Sequence, residues 1–180
     1  MKNQKGFSLI ELLIVVVIIG IIAAIAIPNL LAARRSANEG SAVSSLRTIH
    51  GANATYQATN GNGNFAPGLV DLGNTNLIDG VLAGAGATAT SGKSGYTFFD
   101  YVAQPLTAGV NPATFALVTK PLTVSGITQT GTRNFGIATD GVLAAEVTNG
   151  AAGVMDAVVG SGATPSSYGS GATIVIMGNQ

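Results

Sequence analysis

The sequence predicts an α+β fold, in which a long N-terminal helix packs on an antiparallel sheet of four to five strands. Residues 7–27 are apolar or small except Ser8 and Glu11. At about 1.5 Å per helical residue this run covers roughly 30 Å, the thickness of a bilayer's hydrocarbon core. Helical character continues to residue 58, and short strand signals begin at residue 96. The first half of the helix is therefore predicted to span a membrane.

The second half of the helix has a different pattern. It is rich in alanine, and semi-apolar residues recur at spacings of three and four, which predicts one face that lies on a sheet. That face carries Val43, Leu46, Ile49, Asn53 and Tyr56. The other face carries Arg34, Arg35, Glu39 and Arg47. Two interpretations of these charges are equally open: a solvated helix surface or generic cytoplasmic-side stop signal, or contact with another subunit.

The remaining chain divides by its turn residues. The run of Gly and Asn at residues 60–64 ends the helix, and residues 59–95 form a connector with one or two helical turns. Strand signals at 96–102, 115–120, 133–139 and 142–147 predict a sheet over 96–147. Asp140-Gly141 is a strong hairpin signal between the last two. Residues 148–180 are a C-terminal loop with a β-branched segment at 173–177, either an edge strand or an apolar patch that faces a polymer.

Glu11 is the one charged residue of the apolar run. An acidic side chain in a membrane span costs on the order of 2.5–3.5 kcal/mol, so it indicates a functional site. A basic, polar leader with Lys2 and Lys5 precedes the run and would stay on the cytoplasmic side. Cleavage after Gly6 would place a new ammonium at Phe7, four residues before Glu11. The alternative is a carboxylate that reaches the interface or is protonated.

The N-terminal motif resembles a known signature. Gly6-Phe7-Ser8-Leu9-Ile10-Glu11, followed by the apolar run and Pro28, is similar to the type IV prepilin signature shared by pilins and secretion pseudopilins. A secretory signal peptide, cut after Ala26 or Ala33, is the other interpretation. The apolar run exceeds the 7–15 residues of a usual signal core.

The resemblance implies a processing path and a set of partners. A prepilin peptidase would remove the leader, residues 1–6, between Gly6 and Phe7, and the same enzyme would methylate the nitrogen of Phe7. Glu11 would then pair with the amino terminus of a neighbouring subunit. Gly20 and Pro28 would be weak points of the helix.

The resemblance also implies where the subunit lies before assembly. It would wait in membrane lipid, and an inner-membrane platform and a cytoplasmic ATPase would assemble it. Residues 59–95 would correspond to the αβ-loop of pilins. Many pilins close their C-terminal region with a disulfide, but this chain has no cysteine.

Composition offers little for catalysis. His50 is the only histidine, and the acidic residues are dispersed, whereas hydrolytic and metal sites need clustered His, Cys or carboxylates. No phosphate-binding loop is present. Eight basic residues balance eight acidic ones among only 9% charged residues, so no basic field would attract nucleic acid. We therefore expect no enzyme, catalytic residue, metal site or cofactor.

These observations predict a structural subunit of a type IV pilus. It would be a single-pass inner-membrane protein that leaves the membrane and polymerises with copies of itself into an extracellular filament for motility, adhesion or DNA uptake. One alternative is a pseudopilin of a type II secretion system, which would act in the periplasm. A second is a membrane-anchored binding protein that does not polymerise.

Overall fold

A computed structural model describes residues 6–86, 91–107, 112–146 and 174–177. The chain divides into two compact units, Met1–Arg34 and Arg35–Gln180. The expected leader, apart from Gly6, and most of the expected C-terminal loop lie outside the described residues.

The first unit consists of the N-terminal segment and the start of helix α1 (Leu9–Thr59). The helix runs without interruption through Pro28. Every large apolar side chain of residues 7–30 is at least half exposed. Among the described residues, α1 is the one helix long and apolar enough to cross a membrane. An apolar face of this extent is far larger than a soluble monomer leaves open.

The second unit contains an antiparallel sheet of five strands. These are β1 (Tyr96–Gln104), β2 (Thr114–Pro121), β3 (Asn134–Ala138), β4 (Leu143–Glu146) and β5 (Ile174–Met177). They lie side by side in chain order, and each pairs with its neighbours antiparallel. The predicted α+β class is therefore confirmed, and the final segment forms an edge strand on β4.

The turn between β3 and β4 shows why Asp140-Gly141 was informative. Gly141 has φ +73°, which side chains rarely adopt. Its N–H donates to the carbonyl of Ala138 at 2.9 Å. The Asp140 carboxylate accepts the N–H of Val142 at 3.0 Å. The hairpin sets the register that pairs Ile137 with Leu143.

The core lies between the second half of α1 and one face of the sheet. Leu46 and Ile49 are fully buried, as the predicted face requires. They share one apolar cluster with Phe115, Phe135 and Ile137 on the sheet. Two short helices, α2 (Leu69–Asn74) and α3 (Gly80–Gly84), close its side with Leu72 and Leu82. The small residues Ala42, Ser45 and Ala52 of α1 are buried too, although the sequence pattern did not single them out.

The interpretation of Glu39 as a solvated or subunit-facing residue is wrong. Glu39 is only 7% exposed. One of its carboxylate oxygens accepts the N–H and the hydroxyl of Thr132, both at 2.9 Å. The other accepts Nε and Nη2 of Arg133 at 2.9 and 2.7 Å. The partners lie 93 and 94 residues away in sequence, so helical periodicity alone could not reveal them.

The segment that holds these partners is itself fixed. The hydroxyl of Tyr96, which is fully buried, donates to the carbonyl of Arg133 at 2.9 Å. A side chain at Gly131 would overlap that tyrosine ring and hydroxyl. Asn38 donates from Nδ2 to the carbonyl of Thr130 at 2.9 Å. Adjacent residues of α1 therefore clamp the end of the β2–β3 loop on the helix.

The clamp predicts how stability depends on pH. Burial raises the pKa of Glu39, but the hydrogen bonds from Thr132 and Arg133 and the guanidinium charge outweigh it, so the pKa lies below the ordinary 4.5. A depressed pKa contributes stability above the unfolded-state value, and that contribution is lost as pH falls through the folded value.

We expect the free energy of unfolding of the full chain in detergent to fall as pH decreases below about 4.5. In Glu39→Gln the fall should be shallower, because no carboxylate titrates there. The measurement is chemical denaturation between pH 3 and pH 7. Asp140→Asn, in an exposed turn, is the matched control and should retain the wild-type fall. Equal slopes for Glu39→Gln and the wild type would contradict the clamp's contribution.

Candidate assembly site at the N terminus

The first turn of α1 gives Glu11 a hydrogen-bond partner in its own chain. Ser8 directly precedes Leu9, the first helical residue. The backbone N–H of Ser8 donates to Oε2 of Glu11 at 2.9 Å. The carbonyl of Ser8 accepts the N–H of Leu12 at 3.3 Å. Ser8 and Glu11 thus hold the positions of a capping box, in which a glutamate at the third helical residue reaches back to the N-cap N–H.

This contact changes how the lone carboxylate is understood. The N-terminal end of a helix carries a partial positive charge and free N–H groups, which favour a carboxylate there by about 0.3–1 kcal/mol. Within residues 6–86, Oε1 of Glu11 accepts no hydrogen bond. One oxygen therefore accepts the capping N–H, while the other has no donor among the residues that the structure describes. The Ser-x-x-Glu spacing signalled this cap, but our sequence reasoning did not use it.

The predicted cleavage point lies just outside the helix. Gly6 and Phe7 have no regular secondary structure. No atom approaches within 4 Å of where a Gly6 side chain would lie, and Phe7 is 86% exposed. An exposed, non-helical peptide bond is the kind that proteolysis prefers.

Gly20 and Pro28 lie away from this turn. They follow Glu11 by nine and seventeen residues, or roughly 14 and 26 Å along the helix. No atom lies within 4 Å of a side chain built at Gly20. Pro28 supplies no N–H to the helix. Beside it, Asn29 donates from Nδ2 to the carbonyl of Ile25 at 3.1 Å. The structure shows a continuous helix here, and their role as weak points stays a prediction.

His50 packs within the second unit. Its Nε2 lies 3.4 Å from the carbonyl oxygen of Thr139, and its ring centroid is 5.7 Å from that of Phe115. In the part of the chain that the structure describes, no three His, Cys, Asp or Glu side chains group as metal ligands would.

The fold and this turn together define a class of protein: an α+β chain with a long helix whose first half is apolar and exposed and whose first turn holds a capped glutamate. Residues 1–27 match the family described as the prokaryotic N-terminal methylation motif. No solved structure matches the chain.

Relatives of two kinds match part of the chain. The type IV wide pilus major component PilA4 of Thermus thermophilus is 69% identical over 39 residues, 22% of this chain and 30% of the relative. The type II secretion system core protein G of Klebsiella pneumoniae is 37% identical over 60 residues, 33% and 43% of the two chains. The type IV major pilin protein PilA of Myxococcus xanthus is 44% identical over 54 residues, 30% and 24%.

These matches confirm the resemblance to the superfamily of type IV pilins and pseudopilins. The chain spans less than half the length of the curated relatives it matches. Both kinds of relative match only a part of the chain, so the similarity does not distinguish a pilus subunit from a pseudopilin.

The capping contact predicts different effects for two substitutions at Glu11. Glu11→Gln retains a side-chain oxygen that can accept the N–H of Ser8, whereas Glu11→Leu removes it. We expect the Ser8 amide to exchange about fivefold faster in Glu11→Leu, since a cap contributes roughly 1 kcal/mol. In Glu11→Gln its protection should stay near the wild-type value. Hydrogen exchange by NMR in detergent micelles measures this, and equal exchange in both variants would contradict the cap.

Proposed function

We propose that this chain is the structural subunit of a type IV pilus. The observation that carries the proposal is an apolar helix, exposed over residues 7–30, whose first turn holds a single carboxylate. The methylation motif over residues 1–27 supports it. The chain would be an inner-membrane subunit that is processed and then polymerised into an extracellular filament.

Processing would occur at the exposed bond between Gly6 and Phe7. A prepilin peptidase would remove residues 1–6, and its methyltransferase activity would methylate the nitrogen of Phe7. The cut removes two lysines and creates one ammonium beside the first turn of α1. The peptide bond between Phe7 and Ser8 is untouched, so the Ser8 N–H that holds Glu11 survives cleavage.

Assembly would exchange lipid for other copies of the chain. In the membrane, acyl chains cover the apolar side chains of residues 7–30. Outside it, water would face them unless neighbouring helices bury them, and each buried Leu, Ile or Val contributes about 1.5–3 kcal/mol. Copies of α1 side by side are the cover that a homopolymer supplies.

Glu11 would set the register of that packing. A carboxylate and an ammonium desolvated together lose far less than one desolvated alone. The Ser8 N–H donates to Oε2 of Glu11. The other oxygen, Oε1, would be the acceptor for the ammonium of a neighbouring Phe7. An axial offset that misses this contact leaves a charge unpaired, so the pairing selects one stagger.

The energy for extrusion would come from other proteins. The sequence has no phosphate-binding loop. A cytoplasmic ATPase acting through an inner-membrane platform is the partner set that this proposal requires. The chain itself would act as building material and not as an enzyme.

The second candidate is a pseudopilin of a type II secretion system. The observation that keeps it open is that a core protein G of such a system is 37% identical to this chain over 60 residues. It would use the same processing and the same packing of α1, but the polymer would stay in the periplasm.

Mass spectrometry of material sheared from cells that express the chain tests the proposal. We expect a chain that begins at Phe7, carries one N-methyl group and is abundant in surface fibres. Fibres absent from the surface, with loss of secreted proteins when the chain is deleted, would favour the pseudopilin. A retained leader and no polymer would overturn both and indicate the membrane-anchored binding protein.

Substitution at Glu11 separates the charge from the cap. Glu11→Gln keeps an acceptor for Ser8 but no negative charge, so we expect it to lose filaments about as completely as Glu11→Leu, by tenfold or more. Both variants should reach the membrane in wild-type amounts. Filament yield is measured by shearing and immunoblotting, with the membrane fraction as the control. Normal filament numbers in Glu11→Gln would show that the charge does not direct assembly.

A further inference from the structure

The loop between β2 and β3 presents an apolar side chain at its tip. Ile127 is 77% exposed, more than any other large apolar side chain described in the second unit. A single exposed apolar residue is ordinary on a protein surface. What distinguishes Ile127 is the rigidity of the loop that carries it.

Hydrogen bonds fix this loop from base to tip. The N–H of Thr130 donates to the carbonyl of Thr123 at 2.9 Å, and the N–H of Thr123 donates to Oγ1 of Thr130 at 3.2 Å. At the tip, Gly126 has φ +80°, and its carbonyl accepts the N–H of Gln129 at 3.2 Å. At the base, Asn38 of α1 holds the carbonyl of Thr130. Docking such a loop orders few new torsions, so little entropy opposes binding.

An apolar pocket lies at the other end of the same unit. It has a volume of about 280 Å³ and is lined mainly by apolar atoms. Its lining residues are Asn64, Phe65, Pro67, Ala103, Gln104 and Pro105. Asn64 stiffens the wall, because its Oδ1 accepts the N–H of Leu106 at 2.6 Å and its Nδ2 donates to Gly61. The half-exposed side chain of Leu106 follows directly after this lining.

The loop tip and the pocket cannot meet within one chain. The loop is anchored at Asn38, and the pocket begins beyond Thr59, where α1 ends. These two points on α1 are roughly 30 Å apart, at 1.5 Å per residue. Neither residues 122–132 nor the pocket lining carries a charge. Contact between two copies would therefore desolvate no ion.

We propose that Ile127 of one subunit inserts into the Phe65, Pro67, Ala103 and Pro105 pocket of another copy of this chain. The two surfaces differ, so the contact is heterologous, and a heterologous contact whose rotation does not close builds an open helical filament. The separation of the two surfaces along α1 suits contact between copies displaced along that helix. The inference rests on the proposed polymerisation. Within the polymer it assigns a contact between the sheet-containing units of two copies.

Cysteine cross-linking tests the contact directly, because the chain has no cysteine of its own. Full-length Ile127→Cys/Gln104→Cys, assembled in cells and mildly oxidised, should give a ladder of covalent multimers in sheared fibres. A disulfide requires Cα atoms within about 7 Å, so the ladder reports proximity. Val81→Cys/Gln104→Cys is the control, since Val81 is exposed on α3 outside both surfaces, and should give no ladder.

One conservative and one polar substitution of Ile127 provide a second measurement. Ile127→Val keeps an apolar tip and should assemble within about twofold of wild type. Ile127→Asn should lower filament yield by tenfold or more, with an unchanged amount in the membrane fraction. If fibres form normally but show neither a ladder nor sensitivity to Ile127→Asn, the contact is wrong while polymerisation stands. If the wild type itself forms no polymer, the proposed function fails as well.

Discussion

The constraint on which the structure depends is that α1 is covered by its own chain over only part of its length. In the second unit the helix supplies Leu46 and Ile49 to the core and is matched by the sheet. Over residues 7–30 its large apolar side chains are at least half exposed. These exposed side chains contribute little to the folding stability of a lone subunit, and in water they favour association. Lipid or another protein must therefore cover these exposed apolar side chains.

The sequence could predict whatever depends on neighbouring residues. The apolar run, the spacing of Leu46 and Ile49, and the Asp140-Gly141 turn are local patterns, and the helix, its buried face and the hairpin followed from them. Glu39 was misjudged because a carboxylate beside arginines on a helix is read as solvated. Its burial depends on Arg133, which only the folded sheet brings near.

The candidate site was predictable to a similar limit. The position and chemistry of Glu11 stood out, since a charge in an apolar run contradicts its surroundings. Its hydrogen bond to Ser8 was also encoded locally, in the Ser-x-x-Glu spacing. What a neighbouring subunit does is not encoded locally, and neither is the placement of Ile127, which depends on a clamp to α1 from a loop about ninety residues further on.

The hydrogen bond from the Ser8 N–H to Oε2 of Glu11 affects how many donors a methylated amino terminus would need. A primary ammonium has three N–H donors, and one methyl group leaves it with two while its charge is unchanged. Because the Ser8 N–H already donates to Oε2, one N–H from an incoming nitrogen to Oε1 would give each carboxylate oxygen a donor. A methylated terminus would therefore be able to donate one N–H to Oε1 and still keep a second N–H for another acceptor. The alkylation would shed one polar hydrogen, which lipid solvates poorly, without removing any bond that the glutamate requires.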